Sequence, residues 1–420
     1  VKIGFRRFLA QMNILRRMNM KKGSLILRLL AAALVACLIL SAFASCGSAK
    51  TLMSVTKDGK TYTISTDEFS LLMKIKKLDI CCSMLVTRSR DTASYWATKT
   101  DDGETYEDYY KNLILEQTKS ILVEKYLFDA NGLSISSDKL AGYKSNIKTQ
   151  NTYYGGKGAY KQYFGYTAAD YYNVYMMMVA RSEAVVDFLF GENGSQKLTA
   201  EDLETYYKEN YVGYQFIMLD MENKVKLDEE GNRIIAKEKD SEGNEVDSDS
   251  YETEALTDEE KETKQTLAKA ILDELAEGAS FEDMIAKYSD AYYSVEFPEG
   301  MFVLKDGTFL STAITEKIKD LEIGEYTEEA IESNKCQYIV KRVELKDKVY
   351  EDEKYLELFE EYEDTVKYDK YENYIETFFD DITIDEAVSA EYTVADTYLS
   401  KYADLYYQQY WSSILSSSSS

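Results

Sequence analysis

The chain has 420 residues and a formal net charge of −26, set by 75 acidic against 49 basic side chains, and it contains no histidine. Ser-His-Asp and Cys-His mechanisms need an imidazole base and most catalytic zinc sites need it as a ligand, so those enzyme classes are excluded. A surface this acidic repels phosphates, which excludes nucleic acid as a partner.

Residues 1–45 carry eight basic residues and no acid, and include the apolar run 29–40 followed by Ser41-Ala42-Phe43-Ala44-Ser45. A basic segment, an apolar core too short to span a bilayer and a small-residue cleavage region predict a secretory signal. Met20-Lys21-Lys22 is a more natural start than Val1. Phe43-Ala44-Ser45-Cys46 resembles the lipobox of bacterial lipoproteins, with Phe43 standing where leucine is usual. That resemblance implies cleavage before Cys46, a lipid on its thiol and a place on the extracytoplasmic face of the cell membrane. Loss of the eight positives leaves −34 on the mature chain. Such a charge disfavours lying flat on an anionic leaflet and leaves the lipid on Cys46 as the tether. Of the remaining thiols, Cys81 and Cys82 are adjacent and Cys336 is distant, so no disulfide framework is implied and the fold rests on its core.

Ser54 to Ile64 reads as two strands around the turn Asp58-Gly59. Helices follow, their starts marked by capping boxes in which a side-chain oxygen takes an orphan backbone N–H: Ser65 with Glu68, Thr167 with Asp170, Thr199 with Asp202. Asn131-Gly132 ends one of them. Residues 65–212 are therefore mostly helical. Tyr214–Leu219 is a β-rich run, and an acidic, glycine-containing insertion at 221–256 reads as a hairpin or loop, because the Asp-x-Asp-x-Asp-Gly spacing of a calcium loop is missing. Thr257 with Glu260, and Ser280 with Asp283, start two more helices; Gly300–Leu304 reads as a strand, 310–321 as a helix and Gln337–Val343 as a closing strand. The order β-α-α-β-α-β describes a compact α+β module. From Val349 apolar and aromatic residues return at helical spacing, up to Phe378 and Phe379, and the chain ends in the serine run 416–420.

The segment Ala270–Asp290, with its helix, Gly278-x-x-Phe281 turn and Tyr288-Ser289-Asp290, resembles the parvulin-type peptidyl-prolyl isomerase domain. Leu321–Thr327 is similar to that family's Leu-x-x-Gly-Glu-x-Ser turn. Lys125–Leu127 through Ile135, Phe164–Thr167 and Leu203–Asn210 are similar to the helical region of SurA- and PrsA-type foldases. The resemblance implies an α+β protein: a helical chaperone domain formed by N- and C-terminal segments, with an inserted parvulin-like module. It sets the boundaries at 46–212, 213–346 with the insertion 221–256, 347–400 and a tail 401–420.

The same resemblance places the family's catalytic groups residue by residue. Its first-strand histidine falls on Phe216, its last-strand histidine on Tyr338, its Cys or Asp on Ala291 and its hydroxyl residue on Ser333, while its apolar proline pocket falls near Leu310 and Ile314. Ser333 and Tyr338 are thus the candidate catalytic residues, and Phe216, Leu310 and Ile314 the candidate substrate-binding ones. Three of four polar groups are missing, which describes a degenerate active site. The implied function is a foldase that binds unfolded, newly exported polypeptides without cofactor or metal; an active prolyl isomerase and a non-catalytic surface scaffold are the alternatives. The 37 tyrosines and 13 methionines suit adaptable apolar contact.

Overall fold

The computed structural model describes residues 49–100, 102–239, 243–305 and 309–417. The signal segment and Cys46 lie outside the described residues. No helix among the described residues is long and apolar enough to cross a membrane. The chain forms two compact units: one runs to Lys197 and resumes at Tyr368, and the other is Leu198–Lys367.

The first unit opens with the antiparallel strands β1 (Thr51–Lys57) and β2 (Lys60–Ser65). Asp58 and Gly59 join them with φ of 51° and 76°, the pair of left-handed residues that a tight hairpin turn demands. Ser65 then caps α1 (Thr66–Ser83) through a complete capping box with Glu68. This helix is buried on two faces. Phe69, Met73 and Cys81 join Leu52, Ile64, Trp96 and Ile114 in one cluster, whereas Leu71, Leu72 and Ile75 meet Tyr160, Phe164 and Met178 in another. Helix α2 (Tyr106–Ala130) ends at Asn131, as its sequence predicts, and α3 (Met176–Phe190) packs beside it. The capping boxes at Thr167 and Thr199 are both formed.

After Phe379 the helical pattern is interrupted, and it returns in the helix Tyr402–Ser417, where a tail was expected. Ile382–Ile384 is a strand that pairs antiparallel with β1 and makes a third member of that sheet, in the order Ile382–Ile384, β1, β2. Three residues are too few for a period to announce them. The irregular segment that follows is held by charged side chains of the helices, which satisfy backbone groups that no ladder reaches. Lys77 gives its three N–H bonds to the carbonyls of Ala395 (3.1 Å) and Thr397 (2.6 Å) and to the Asp91 carboxylate (2.8 Å). The Glu107 carboxylate accepts from the N–H groups of Val394 and Ala395 at 2.6 and 2.8 Å.

Gly165 is among the glycines of this unit that leave no room for a side chain. Gly165, with φ of +83°, ends the helix Lys157–Phe164, and a Cβ there would lie 2.4 Å from Cδ1 of Tyr398, whose hydroxyl is fixed on the carbonyl of Gln162. Gly165→Ala is expected to cost about 1–3 kcal/mol of stability. Urea unfolding followed by tryptophan fluorescence checks this, since both Trp96 and Trp411 belong to the first unit. An unchanged midpoint would show that the ring yields freely.

The second unit is a four-stranded antiparallel sheet with helices on both faces. Its strands are β3 (Tyr211–Asp220), β6 (Met301–Leu304), β7 (Ile331–Ser333) and β8 (Cys336–Val343), in the order β6-β3-β8-β7. The acidic insertion holds two separate ladders, Asn223–Val225 with Thr253–Ala255 and, between them in the chain, β4 (Ile235–Lys239) with β5 (Glu245–Tyr251), so it is a hairpin. Helix α4 (Asp258–Ala276), begun by the Thr257–Glu260 capping box, and α5 (Phe281–Tyr288) cover one face of the sheet. On that face Ile217, Leu219 and Ile339 meet Ile271, Leu275, Phe281 and Ile285. The helix α6 (Thr312–Asp320) lies on the other face, where Ile314 and Ile318 pack on Val212, Tyr214 and Val340. Val349–Glu351 and Leu356–Phe359, expected as continuous helix, are short 3-10 turns. Their aromatic residues pack with Tyr206 and Tyr207 of the helix Ala200–Asn210.

Candidate functional site

The register of the sheet decides what can meet. Tyr338 stands opposite Met218, Val340 opposite Phe216 and Cys336 opposite Asp220, so alternation puts all six on one face. Val340 is closed off beneath α6, and Phe216, Met218, Asp220 and Tyr338 floor a cavity of about 320 Å³. It is walled by Asp290–Tyr293 after α5, Phe309-Leu310 before α6, Asp249–Tyr251 on β5 with Thr253 just beyond, and Asn223 and Val225 at the start of the insertion.

The Tyr288-Ser289-Asp290 run is the clamp that sets the first wall. Tyr288 donates its hydroxyl to Glu274 at 2.6 Å, and Ser289 Oγ accepts the N–H of Met218 at 3.1 Å. The Asp290 N–H reaches the carbonyl of Met218 at 2.8 Å, while its carboxylate accepts the N–H of Asp220 at 2.9 Å and the Lys264 ammonium at 2.7 Å. The segment therefore runs along β3 like an added strand and presents Ala291 to the cavity. Burial raises the Asp290 carboxyl in spite of Lys264. Burial also works to raise Asp220, but the N–H groups of Glu222 and Asn223 and the Asn223 amide outweigh it and bring that carboxyl below its ordinary value. Burial, with Cys336 beside it, pushes the Tyr338 phenol up to about 12, and burial raises the Cys336 thiol.

The cavity brings together Phe216, Ala291, Leu310 and Tyr338. It does not include Ser333 or Ile314. Ser333 is on the edge strand β7, where its hydroxyl donates to Ser311 Oγ at 2.9 Å. Ile314 is 1% exposed and belongs to the core beneath α6. A pocket wall for Ile314 is therefore corrected to a core position, and the hydroxyl of Ser333 serves a neighbouring serine. Residues that the sequence did not single out are Asp220, Asp249 and Tyr251, with Tyr292, Tyr293 and Phe309. Ring pairs line the space: Phe216 with Tyr338 at 6.4 Å, Tyr251 with Tyr292 at 5.5 Å and Tyr293 with Phe309 at 5.2 Å. The Tyr293 hydroxyl donates to Asp249. The arrangement can bind an extended apolar segment, and it offers no imidazole. Among the described residues, no cluster of three or more carboxylates or thiols is placed to hold a metal.

No family model and no curated protein matches this chain. Among solved structures, it is similar to PrsA from Bacillus subtilis at 15% identity, covering 71% of this chain and 89% of that one, with a TM-score of 0.22. It is similar to the PrsA foldase of Lactococcus lactis at 14% identity, covering 81% and 97%, with a TM-score of 0.23. A SurA-like chaperone of Campylobacter jejuni matches at 14% identity, covering 78% and 98%, with a TM-score of 0.19. Overlays at these scores carry no weight for activity.

Proposed function

We propose that this chain is a membrane-anchored extracytoplasmic foldase that holds unfolded exported polypeptides, with a parvulin-like cleft that binds but does not efficiently isomerise. The observation that carries the reading is the cleft itself: aromatic walls are present, and Phe216, Ala291 and Tyr338 stand where the resemblance expects the polar network. Prolyl isomerisation makes and breaks no bond, yet must cross a barrier of about 18–20 kcal/mol. An enzyme lowers it by binding the twisted amide better than the planar one, through hydrogen bonds tuned to that geometry. A cleft of rings binds both forms alike, which favours holding over turnover. The run ending in Cys46 supplies the anchor in this proposal, placing the chain where exported segments emerge.

Two assays on the purified mature chain test it. At stoichiometric amounts it is expected to delay aggregation of a chemically unfolded client, and to leave the isomerisation rate of a prolyl peptide at its buffer value. Absence of any delay would remove the holding role. Acceleration of the prolyl peptide that disappears on Tyr338→Phe would restore the isomerase.

A further inference from the structure

Resting on that reading, we propose that the cleft selects client segments carrying lysine or arginine, and that the hairpin β4–β5 is the element that makes it selective. The walls contain three aspartates and neither lysine nor arginine. Asp290 is neutralised by Lys264. Asp220 is held ionised by three N–H bonds from Glu222 and Asn223, which leave part of its acceptor capacity open. Asp249 is exposed on β5 and takes the hydroxyl of Tyr293. Further carboxylates bear on the same corner, since Glu296, Asp249, Glu357 and Asp247 all act on the Tyr292 phenol. Of the nearby cations, Lys237 on β4 is paired with Asp247, and Arg233 stacks on Tyr251 and gives its guanidinium to the carbonyls of Ala286 and Ser289.

The rings supply a second attraction for a cation, one that needs no carboxylate. The faces of aromatic rings are negative, so a set of rings around a small cavity attracts an ammonium or guanidinium group. Six rings in three pairs surround this one. A lysine or arginine side chain fits both requirements at once, its methylene stem against Met218 and Leu310 and its charge toward Asp220 and Asp249. An aliphatic side chain uses only the rings, and an acidic one meets carboxylates.

The test is fluorescence anisotropy of the full chain with three short unstructured peptides, alike except that a central Leu-Pro is flanked by lysine, glutamine or glutamate. The lysine peptide is expected to bind about tenfold tighter than the glutamate peptide, with glutamine between, and the gap is expected to shrink as salt is added. Asp249→Asn is expected to reduce the lysine-to-glutamate ratio several-fold; because Asp249 is exposed, this change does not threaten the fold. Equal affinities, or a ratio unaltered in the variant, would overturn the selectivity and leave the holding role standing. If no peptide binds but client aggregation is still delayed, clients are held elsewhere and the inference falls alone. If neither occurs, the holding role falls with it.

Discussion

Replacing Lys77 by alanine is expected to destabilise the first unit by about 3–5 kcal/mol, the range for stripping one partner from a buried ion pair. Lys77 is 0% exposed, and its ammonium has three protons and three acceptors, one charged and two backbone. Its charge lies 5.5 Å from the Trp96 ring, and the indole N–H of Trp96 donates to the same Asp91 carboxylate at 2.7 Å. Truncation leaves the Asp91 carboxylate, 12% exposed, without its cation, and two carbonyls without their donor. Both losses carry a desolvation penalty with nothing to offset it. The measurement is guanidinium unfolding read by tryptophan emission, with Trp96 as the reporter beside the deleted charge. A midpoint within error of the parent would mean that water replaces the ammonium and that the cluster is not a stabilising one. Lys77→Met, which restores volume without charge, is expected to recover little, because Asp91 stays uncompensated.

The second large effect concerns pH. Glu124 is 6% exposed on α2, and its Oε1 accepts the Tyr371 hydroxyl at 2.7 Å. Burial raises its carboxyl to about 7, against bonds from Tyr371 and Ser182 and the charge of Arg181, which pull the other way. A carboxyl raised in the folded state binds a proton more tightly there than in the unfolded chain. Its contribution is therefore fully favourable below pH ~4.5, declines as pH rises toward 7 and is lost above it. Glu124→Gln keeps an acceptor for Tyr371 and removes the titration. The variant is expected to match the parent near pH 4.5 and to exceed it near pH 8 by about 3 kcal/mol. Unfolding free energies of both proteins at the two pH values give the difference directly. The same offset at both would show that folding does not raise the Glu124 carboxyl.

Parts of this were legible in the sequence because their causes are local. A capping box is written within four residues, so Ser65, Thr167, Thr199 and Thr257 announce their helices, and Asp58-Gly59 announces its turn. Resemblance brought Phe216, Ala291, Leu310 and Tyr338 to one cavity. Ser333 and Ile314 failed for reasons of distance: Ser333 is on the cavity's own sheet face but out on the edge strand β7, beyond Cys336, and Ile314 is one helical turn past Leu310, in the core beneath α6. Asp249 and Tyr251 were invisible for a different reason: the hairpin returns to β3 from about 30 residues away, and no local pattern encodes a return. Lys77 was readable in principle. It lies four residues from both Met73 and Cys81, on the buried stripe of α1, and a lysine in that phase requires a partner.

The three-residue strand Ile382–Ile384 completes the sheet begun by β1 at Thr51. A ribosome delivers Thr51 long before Ile382, and the whole of Leu198–Lys367 is made in between. The first unit therefore waits, with one edge of β1 unpaired, until Ile382–Ile384 exists, while the inserted unit has every strand of its own sheet well before that. Closing so long a loop costs only a slowly growing entropy, but it delays the event. Maturation is thus ordered in time: the inserted unit can finish first, and the unit it interrupts is sealed by residues that follow it in the chain.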